Sequence, residues 1–367
     1  MQLKLKEIMK KLLSKIRRNK QPQEPAGRIT TDTLAEHRER VLAGGRKFKY
    51  PVQYQRHKLV INAIIIAISA LILAVALFWY MLYQAQNTSE FTYRVTKVIP
   101  APVAVVDGEQ VRYSDYLMKY RSAEHYLIEK EQIDPNTEDG KSQLNYVKTE
   151  AMNDAIADAY AKKLARELSI QVSDADLETF LKQQRQSSDG EVTEATYNAV
   201  ILDYYDWSPG EYREAMTNKL LRQRVAYAVD TTAEEISKKV ESAVSSGTTD
   251  LQSIANSLNN EKQNSVTYMP AAWVPKNNQD GGLAEAAGKL QKGQVSTAVQ
   301  TPSGNGYYYV KLTDINDAQV QYEYLFIPLT EFNAKLDQIK KDNKLVTFIE
   351  LDDSTISATS TSKTDTQ

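Results

Sequence analysis

One uninterrupted apolar segment limits what this chain can fold into. Residues 63–82 read AIIIAISALILAVALFWYML, and Ser69 is the one polar interruption. At about 1.5 Å rise per residue, a helix of this length spans the roughly 30 Å hydrocarbon core of a bilayer. Trp79 and Tyr80 at its C-terminal end are typical of a membrane interface. We therefore expect a single transmembrane helix over residues 59–83.

Charge divides at this segment. Residues 1–58 contain 16 Lys and Arg against five Asp and Glu, whereas the rest of the chain contains 29 Lys and Arg against 42 Asp and Glu. The positive-inside rule places residues 1–58 in the cytoplasm and the larger C-terminal part outside it. The apolar run is longer than that of a signal peptide, and a long segment precedes it, so we expect an anchor in the cell membrane.

The basic N-terminal segment begins with a helix-like pattern. Residues 3–20, LKLKEIMKKLLSKIRRNK, alternate apolar residues at helical spacing with Lys and Arg. Such a helix can lie on anionic lipids of the inner leaflet, and a solvated basic tail is the alternative. Membrane electrostatics explain the basic charge more simply than nucleic-acid binding, so we expect no nucleic-acid partner.

Composition excludes several chemistries. The chain has no cysteine and three histidines, His37, His57 and His125, of which only the last follows the apolar segment. Disulfides, thiolate sites and a histidine-rich metal site outside the cytoplasm are therefore excluded. The sequence contains no P-loop, no Rossmann glycine fingerprint and no G-x-S-x-G elbow. We expect no cofactor, no metal and no catalytic residue of these kinds.

Periodicity after the apolar segment changes from helical to mixed. Long stretches with helical spacing come first, with Ser114 and Ser173 at expected N-cap positions. Short strand-like islands among Gly, Pro and Asn follow. The predicted fold class is α+β. It consists of a transmembrane helix, a mostly helical domain and a small α+β domain. The predicted divisions are 1–58 cytoplasmic, 59–83 transmembrane, 84–100 linker, 101–229 helical domain, 230–315 α+β domain, 316–350 strand and helix, and 351–367 disordered tail.

Three motifs in the helical part resemble the SurA N-terminal domain. They are VAVVDGEQVRYSDY from residue 103, AKKLARELSIQVSDADLE from residue 161 and YREAMTNKLLRQRVA from residue 212. In SurA- and PrsA-like proteins, this domain is followed by a parvulin-type peptidyl-prolyl isomerase domain. Residues 236–312 resemble a divergent one, including a Leu-x-x-Ala-x-x-x-Leu-x-x-Gly-x-Val-Ser run from Leu283 and GYYYVKL at 306–312.

This chain departs from the parvulin pattern at its characteristic histidines. Tyr308 stands at the family's histidine position in the closing strand, and no R-H-I-L strand precedes the helix at Ile236. The downstream segment 320–327 resembles that missing strand, with Tyr324 at the second histidine position. This predicts a circularly permuted sheet in which 321–327 pairs centrally with 307–312. The alternative is a separate C-terminal strand.

The resemblance implies a peptide groove rather than a set of catalytic side chains. The residues expected to line it are Met269, Trp273, Leu283, Tyr308 and Tyr324. We expect a membrane-anchored extracytoplasmic chaperone that binds unfolded or exported polypeptides, with a weakly active or inactive parvulin-like domain. Two alternatives stay open, namely an active prolyl isomerase with a tyrosine-based pocket and a non-catalytic envelope assembly scaffold.

Overall fold

The computed structural model describes four stretches of the chain, residues 31–48, 51–187, 190–261 and 266–351. The helix predicted at residues 3–20 lies outside them, as does all but the first residue of the predicted tail at 351–367. The chain divides into two compact units, residues 1–78 and 79–367.

The first unit is helical throughout its described part. Helix α1 spans Thr31–Phe48, and helix α2 spans Pro51–Trp79. A single π-helical turn, Tyr80–Gln84, continues α2 and belongs, with Trp79, to the second unit. Among the described residues, one helical stretch, His57–Gln84, has the length and apolar composition needed to cross a membrane. That stretch contains the segment 59–83 predicted from its hydrophobicity.

After the π-helical turn, the second unit contains a helix that the sequence did not predict. Residues 84–100 were expected to be a polar linker, but helix α3 spans Glu90–Val98 and follows an N-cap at Ser89. Thr92, Tyr93 and Thr96 are buried on its inner side. The side chains that this helix buries are mostly polar, which is why hydrophobicity alone does not reveal it.

A small sheet follows, and the far end of the chain completes it. Strands β1 (Pro102–Val106) and β2 (Glu109–Arg112) form a hairpin around Asp107 and Gly108, both with positive φ as a tight hairpin turn requires. Strand β9 (Leu345–Thr347) pairs antiparallel with the other edge of β1. The sheet order is therefore β2-β1-β9.

The helical part of this unit matches the predicted succession of helices. A π-helical turn, Tyr126–Lys130, continues the first of them, and a short pair of strands interrupts the series. The elements are α4 (Tyr113–His125), α5 (Glu138–Glu167), α6 (Asp174–Gln184), β3 (Gln186–Ser187), β4 (Gly190–Glu191), α7 (Glu194–Tyr205), α8 (Pro209–Val229), α9 (Thr231–Ser245) and α10 (Leu251–Glu261).

A buried carboxylate ties three of these helices together. Asp158 on α5 is almost fully buried, with Lys119 of α4 at 2.8 Å and Arg222 of α8 at 3.2 Å. A buried charge is tolerated when it is paired in this way, and removing one partner leaves the others uncompensated. The ion pairs therefore fix how α4, α5 and α8 pack.

The two predicted N-caps have different outcomes. Ser173 caps α6 through a full capping box with Asp176, as predicted. Ser114 does not cap α4, because that helix starts one residue earlier at Tyr113 and Ser114 is buried inside it. Tyr113 enters the helix directly from β2, and its hydroxyl donates to the Leu82 carbonyl at 3.0 Å.

The remaining elements form a four-stranded antiparallel sheet with helices. They are β5 (Thr267–Pro275), α11 (Leu283–Gly288), β6 (Val299–Gln300), β7 (Gly306–Ile315), β8 (Gln319–Pro328) and α12 (Glu331–Lys341). The strand order is β5-β8-β7-β6. Strand β8 is thus central. Its pairing with β7 runs from Tyr307 opposite Ile327 to Leu312 opposite Tyr322, as the permuted arrangement predicts.

Pairing of β7 with β8 crosses the predicted division at 315/316, so these strands belong to one sheet.

Asp230, at the end of α8, joins this region to the helices. Its carboxylate accepts from Ala233 N at 2.8 Å and from Thr330 N at 2.7 Å. The observed fold class is α+β, as predicted, with a helical part followed by a sheet-containing part.

Candidate functional site

The four-stranded sheet has one face that is closed by helices. Tyr309, Leu325 and Ile327 point to this face and are fully buried against apolar residues of α9 and α10. The Tyr309 hydroxyl lies 2.7 Å from Ser237 Oγ. Around these residues, this face is hydrophobic core that α9 and α10 close off.

The opposite face carries a row of aromatic rings, which we call the aromatic face: Tyr308, Tyr322, Tyr324 and Phe326. The rings of Tyr308 and Phe326 stack with centroids 4.6 Å apart, and Tyr308 and Tyr324 are 5.7 Å apart. The row continues from Tyr324 to Tyr322 at 6.3 Å. Tyr322 is buried, and the other three are half-buried, so the row leads from the core to the surface.

Helix α11 covers one end of the aromatic face. Its residues Leu283, Ala284 and Ala287 are buried against the same cluster as Val310 and Tyr322. Because α11 has only six residues, it covers a small part of the strands. The half-buried rings at its border form the open part of the face.

Polar contacts fix the tyrosine hydroxyls. The Tyr322 hydroxyl donates to Asp280 Oδ2 at 2.6 Å, and Asp280 also accepts from the Ala284 amide at the start of α11. Tyr308 exchanges hydrogen bonds with the Asn305 side chain at 3.0 and 3.2 Å. Burial raises the pKa of Tyr308, Tyr322 and Tyr324 above the ordinary tyrosine value. The hydroxyls are therefore protonated at neutral pH and can donate hydrogen bonds.

Gly306 at the start of β7 allows the aromatic face to form. A Cβ at this position would collide with the Ile327 carbonyl oxygen and the Phe326 ring. Glycine lets the two strands approach where no side chain fits. The GYYYVKL motif thus begins with a residue that the packing requires.

Four of the five predicted groove residues share this face. Tyr308 and Tyr324 belong to the row, and Met269 on β5 is the cross-strand partner of Tyr324 and is 38% exposed. Leu283 is on the same side but only 4% exposed, because it is the α11 residue that packs onto the covered end of the face. It does not offer contact area to a ligand.

Trp273 lies on the other side of the sheet. Its cross-strand partner is Gln321, whereas the residues facing the aromatic side on β8 are even-numbered. A bulge between Met269 and Ala272 reverses the alternation in β5, because the extra residue shifts every later side chain to the opposite face. Trp273 is 42% exposed there.

Two aromatic members of the row were not among the predicted residues. Tyr322 and Phe326 share the face of Tyr324 because side chains two positions apart in a strand point the same way. That period-two signal was already present in the sequence QVQYEYLFIP.

An open groove of about 480 Å³ lies next to the face and includes Leu290 and Val299 in its lining.

A second exposed aromatic surface lies on the helical part, and we call it the α7 patch: Val200, Leu202, Tyr204 and Tyr205. All four side chains are exposed, Leu202 by 53%. Tyr205 stacks on Trp207 at 5.5 Å, and the Trp207 indole donates to the Met118 carbonyl at 3.2 Å. The patch is therefore held in place by α4, although its apolar side chains face solvent.

Metal-site geometry does not occur among the side chains that the structure describes, since no group of three His, Cys, Asp or Glu comes close enough together. The aromatic face and the α7 patch are surfaces for apolar and aromatic contact. Their chemistry suits an extended polypeptide segment rather than a small charged substrate.

Comparison with protein families adds to this geometry. A family model described as SurA-like N-terminal domain matches residues 53–226. A second, described as PPIC-type PPIASE domain, matches residues 197–322. The chain is a SurA/PrsA-like protein with a PPIC-type domain. No curated protein and no solved structure matches the chain significantly.

The two matches locate the features of this SurA/PrsA-like chain. The α7 patch falls inside the SurA-like match, and α7 and α8 contribute to both matches. The PPIC-type match includes β5, β6 and β7 and ends at residue 322 within β8. The function is therefore of the chaperone and peptidyl-prolyl isomerase type.

Proposed function

We propose that this protein is a membrane-anchored chaperone that binds unfolded or exported polypeptides outside the cytoplasm, and that its PPIC-type domain binds peptide with little or no isomerase activity. The observation that carries the proposal is the pair Tyr308 and Tyr324. Their rings lie 5.7 Å apart on paired strands. In the resemblance to the parvulin pattern, we assign them to its two histidine positions.

Loss of the histidines leaves a surface suited to binding. Rotation about a peptide bond faces a barrier of about 18–20 kcal/mol, so an isomerase must stabilise a twisted amide. The Tyr308 hydroxyl is already bonded to Asn305, and the Tyr322 hydroxyl to Asp280. Aromatic rings still offer apolar contact and stacking worth about 0.5–1.5 kcal/mol per pair beyond area burial. Binding is therefore retained more easily than rate acceleration.

Two separate surfaces favour a chaperone that binds many different clients over a protein that binds one defined partner. The aromatic face and the α7 patch both expose Tyr with apolar neighbours. Tyrosine supplies large contact area at low cost in side-chain entropy and adapts to different partners. An unfolded polypeptide can touch such surfaces with successive apolar residues.

Anchoring follows from the apolar helix and the charge asymmetry. In the proposed topology, residues 1–58 lie in the cytoplasm on anionic lipids, His57–Gln84 crosses the cell membrane once, and the SurA-like and PPIC-type domains lie outside. Clients would then be polypeptides that emerge from export across the same membrane.

Aggregation of an unrelated unfolded protein tests the proposal. We expect the full-length protein in nanodiscs to suppress light scattering of a reduced or heat-denatured client at near-stoichiometric ratios. Leu202→Ser with Tyr204→Ser on the α7 patch should weaken the effect, and Lys141→Ser on exposed α5 is the matched control. No suppression by the unaltered protein would favour an assembly scaffold and contradict the chaperone proposal.

A further inference from the structure

The C-terminal end of the apolar helix, from Trp79 to Gln84, belongs to the second unit. Leu82 has no exposed surface, and the Tyr83 hydroxyl donates to the Pro102 carbonyl at 2.8 Å. The Tyr113 hydroxyl bonds the Leu82 carbonyl. The last turns of this helix are therefore packed among β1 and α4 rather than followed by a free linker.

Helix α3 lies against the same helix end. The Thr92 hydroxyl contacts Met81 Sδ at 3.8 Å, and the Asn87 amide donates to the Met81 carbonyl at 3.0 Å. Tyr93 anchors the other side of α3, since its hydroxyl donates to Glu211 Oε1 at 2.5 Å. Helix α3 is consequently held at the level of Met81, within one turn of Trp79 and Tyr80.

The outward side of α3 is apolar at both ends. Phe91 and Val98 are seven residues apart and share one helix face, and they are 68% and 81% exposed. Arg94 lies between them and is paired with Glu90. An apolar stripe with a neutralised cation is poorly suited to water and well suited to the headgroup region of a bilayer.

Strand β9 and Phe348, the residue directly after it, add apolar side chains beside the same helix end. Phe348 packs edge-on against Tyr83 with ring centroids 6.3 Å apart, and Val346 is half exposed. The Gln86 side chain donates to the Glu350 carbonyl at 3.2 Å. We call the exposed set Phe91, Val98, Val346 and Phe348 the collar, because both elements that carry it contact the end of the apolar helix.

We propose that the collar docks onto the outer surface of the lipid bilayer and so holds the chaperone domains against the membrane. This inference rests on the anchoring part of the proposed function. Trp79 and Tyr80, both exposed, mark the interface by residue type, and the collar continues from them without an intervening flexible segment. A bilayer covers it without any further partner.

Single-cysteine labelling tests this directly, because the chain contains no cysteine. Full-length variants Phe91→Cys and Val98→Cys carry an environment-sensitive fluorophore in phosphatidylcholine vesicles. Lipids with a nitroxide near the headgroup serve as quenchers. Leu202→Cys on the α7 patch is the control with a similarly exposed side chain, and Ile65→Cys within the apolar helix reports insertion.

If the collar is embedded, shallow nitroxide lipids should quench the labels at 91 and 98 at least about threefold more than the label at 202, as expected for an interfacial depth. Equal quenching at all three positions would overturn the proposal. The proposal would also be overturned if lipid does not quench the label at 91 while an unfolded client changes its fluorescence. That result would assign α3 to client binding. Absence of quenching at 65 by lipids with a nitroxide in the acyl chain would instead contradict the membrane anchor itself.

Discussion

Tyr308 and Tyr324 lie side by side on the paired central strands β7 and β8, with ring centroids 5.7 Å apart. The pairing is achieved although Tyr324 comes from a strand downstream of Tyr308 rather than from the beginning of the domain. Under the function proposed above, these two phenols take the places of the two histidines of the parvulin pattern.

Peptide affinity should depend on which face of the sheet is altered. We predict that Tyr308→Ala weakens binding of an unfolded, proline-containing peptide about threefold to tenfold, because one stacked aromatic contact is worth about 1 kcal/mol. Trp273→Ala is the matched control, since it removes an exposed aromatic from the opposite face. Fluorescence anisotropy of a labelled peptide measures both. Equal weakening by the two variants would count against the aromatic face.

Asp230 should be a major determinant of stability. Its buried carboxylate accepts from the amides of Ala233, Thr330 and Glu331, and so caps α9 and the start of α12. We predict that Asp230→Ala lowers the free energy of unfolding by about 3 kcal/mol, because several buried donors lose their acceptor. Asp230→Asn retains one oxygen and should cost less. A change below about 0.5 kcal/mol in urea unfolding of the alanine variant would contradict this role.

The C-terminal strand should stabilise the first sheet of the second unit. Strand β9 pairs with β1, and the Phe348 amide donates to the Val103 carbonyl at 2.9 Å. We predict that truncation after Lys344 lowers the free energy of unfolding by about 2–4 kcal/mol through lost pairing and exposed apolar surface. Truncation after Leu351 retains β9 and is the control. If both truncations unfold at the same urea concentration, the strand contributes no stability.

Acid should destabilise the helical part through Asp176. Hydrogen bonds from Arg224 and then from Ser173 hold the pKa of Asp176 well below its ordinary value. A lowered pKa in the folded state contributes stability above the ordinary aspartate pKa of about 3.9, and that stability is lost as pH falls below it. We predict that Asp176→Asn reduces the thermal midpoint at pH 7 and flattens its fall below about pH 4.

Asp174→Asn, in the same helical turn, is the charge-matched control for that experiment. Thermal midpoints of all three proteins between pH 7 and pH 3 provide the comparison. If Asp174→Asn flattens the acid dependence as much as Asp176→Asn, loss of charge rather than the bonds to Arg224 and Ser173 would be responsible.

Local signals predicted several elements correctly. The capping box at Ser173 needs only residues three positions apart, so the sequence determines it without tertiary contacts. The central position of β8 followed from the likeness of its sequence to a strand missing upstream. In both cases the deciding information lies within one short segment.

The failures have tertiary causes. Helix α3 in the predicted linker buries Thr92 and Thr96, and its stability comes from contacts with the end of the apolar helix. Trp273 was assigned to the groove from the resemblance of TYMPAAW to a tryptophan-containing segment of the parvulin family. The bulge before Ala272 turns its side chain to the opposite face from Met269. A bulge is set by pairing with β8, and the sequence of β5 alone does not reveal it.

Exchange NMR on a labelled X–Pro peptide, with the full-length protein in nanodiscs, distinguishes a peptide-binding domain from an isomerase because it reports binding and isomerisation together. We predict chemical-shift changes in the peptide, which are reduced in Tyr308→Ala, and no cis–trans exchange peaks, since uncatalysed exchange takes tens of seconds or longer. Protein-dependent exchange peaks that disappear in Tyr308→Ala would rule out a domain that only binds peptide, and would establish an active isomerase with a tyrosine-based site.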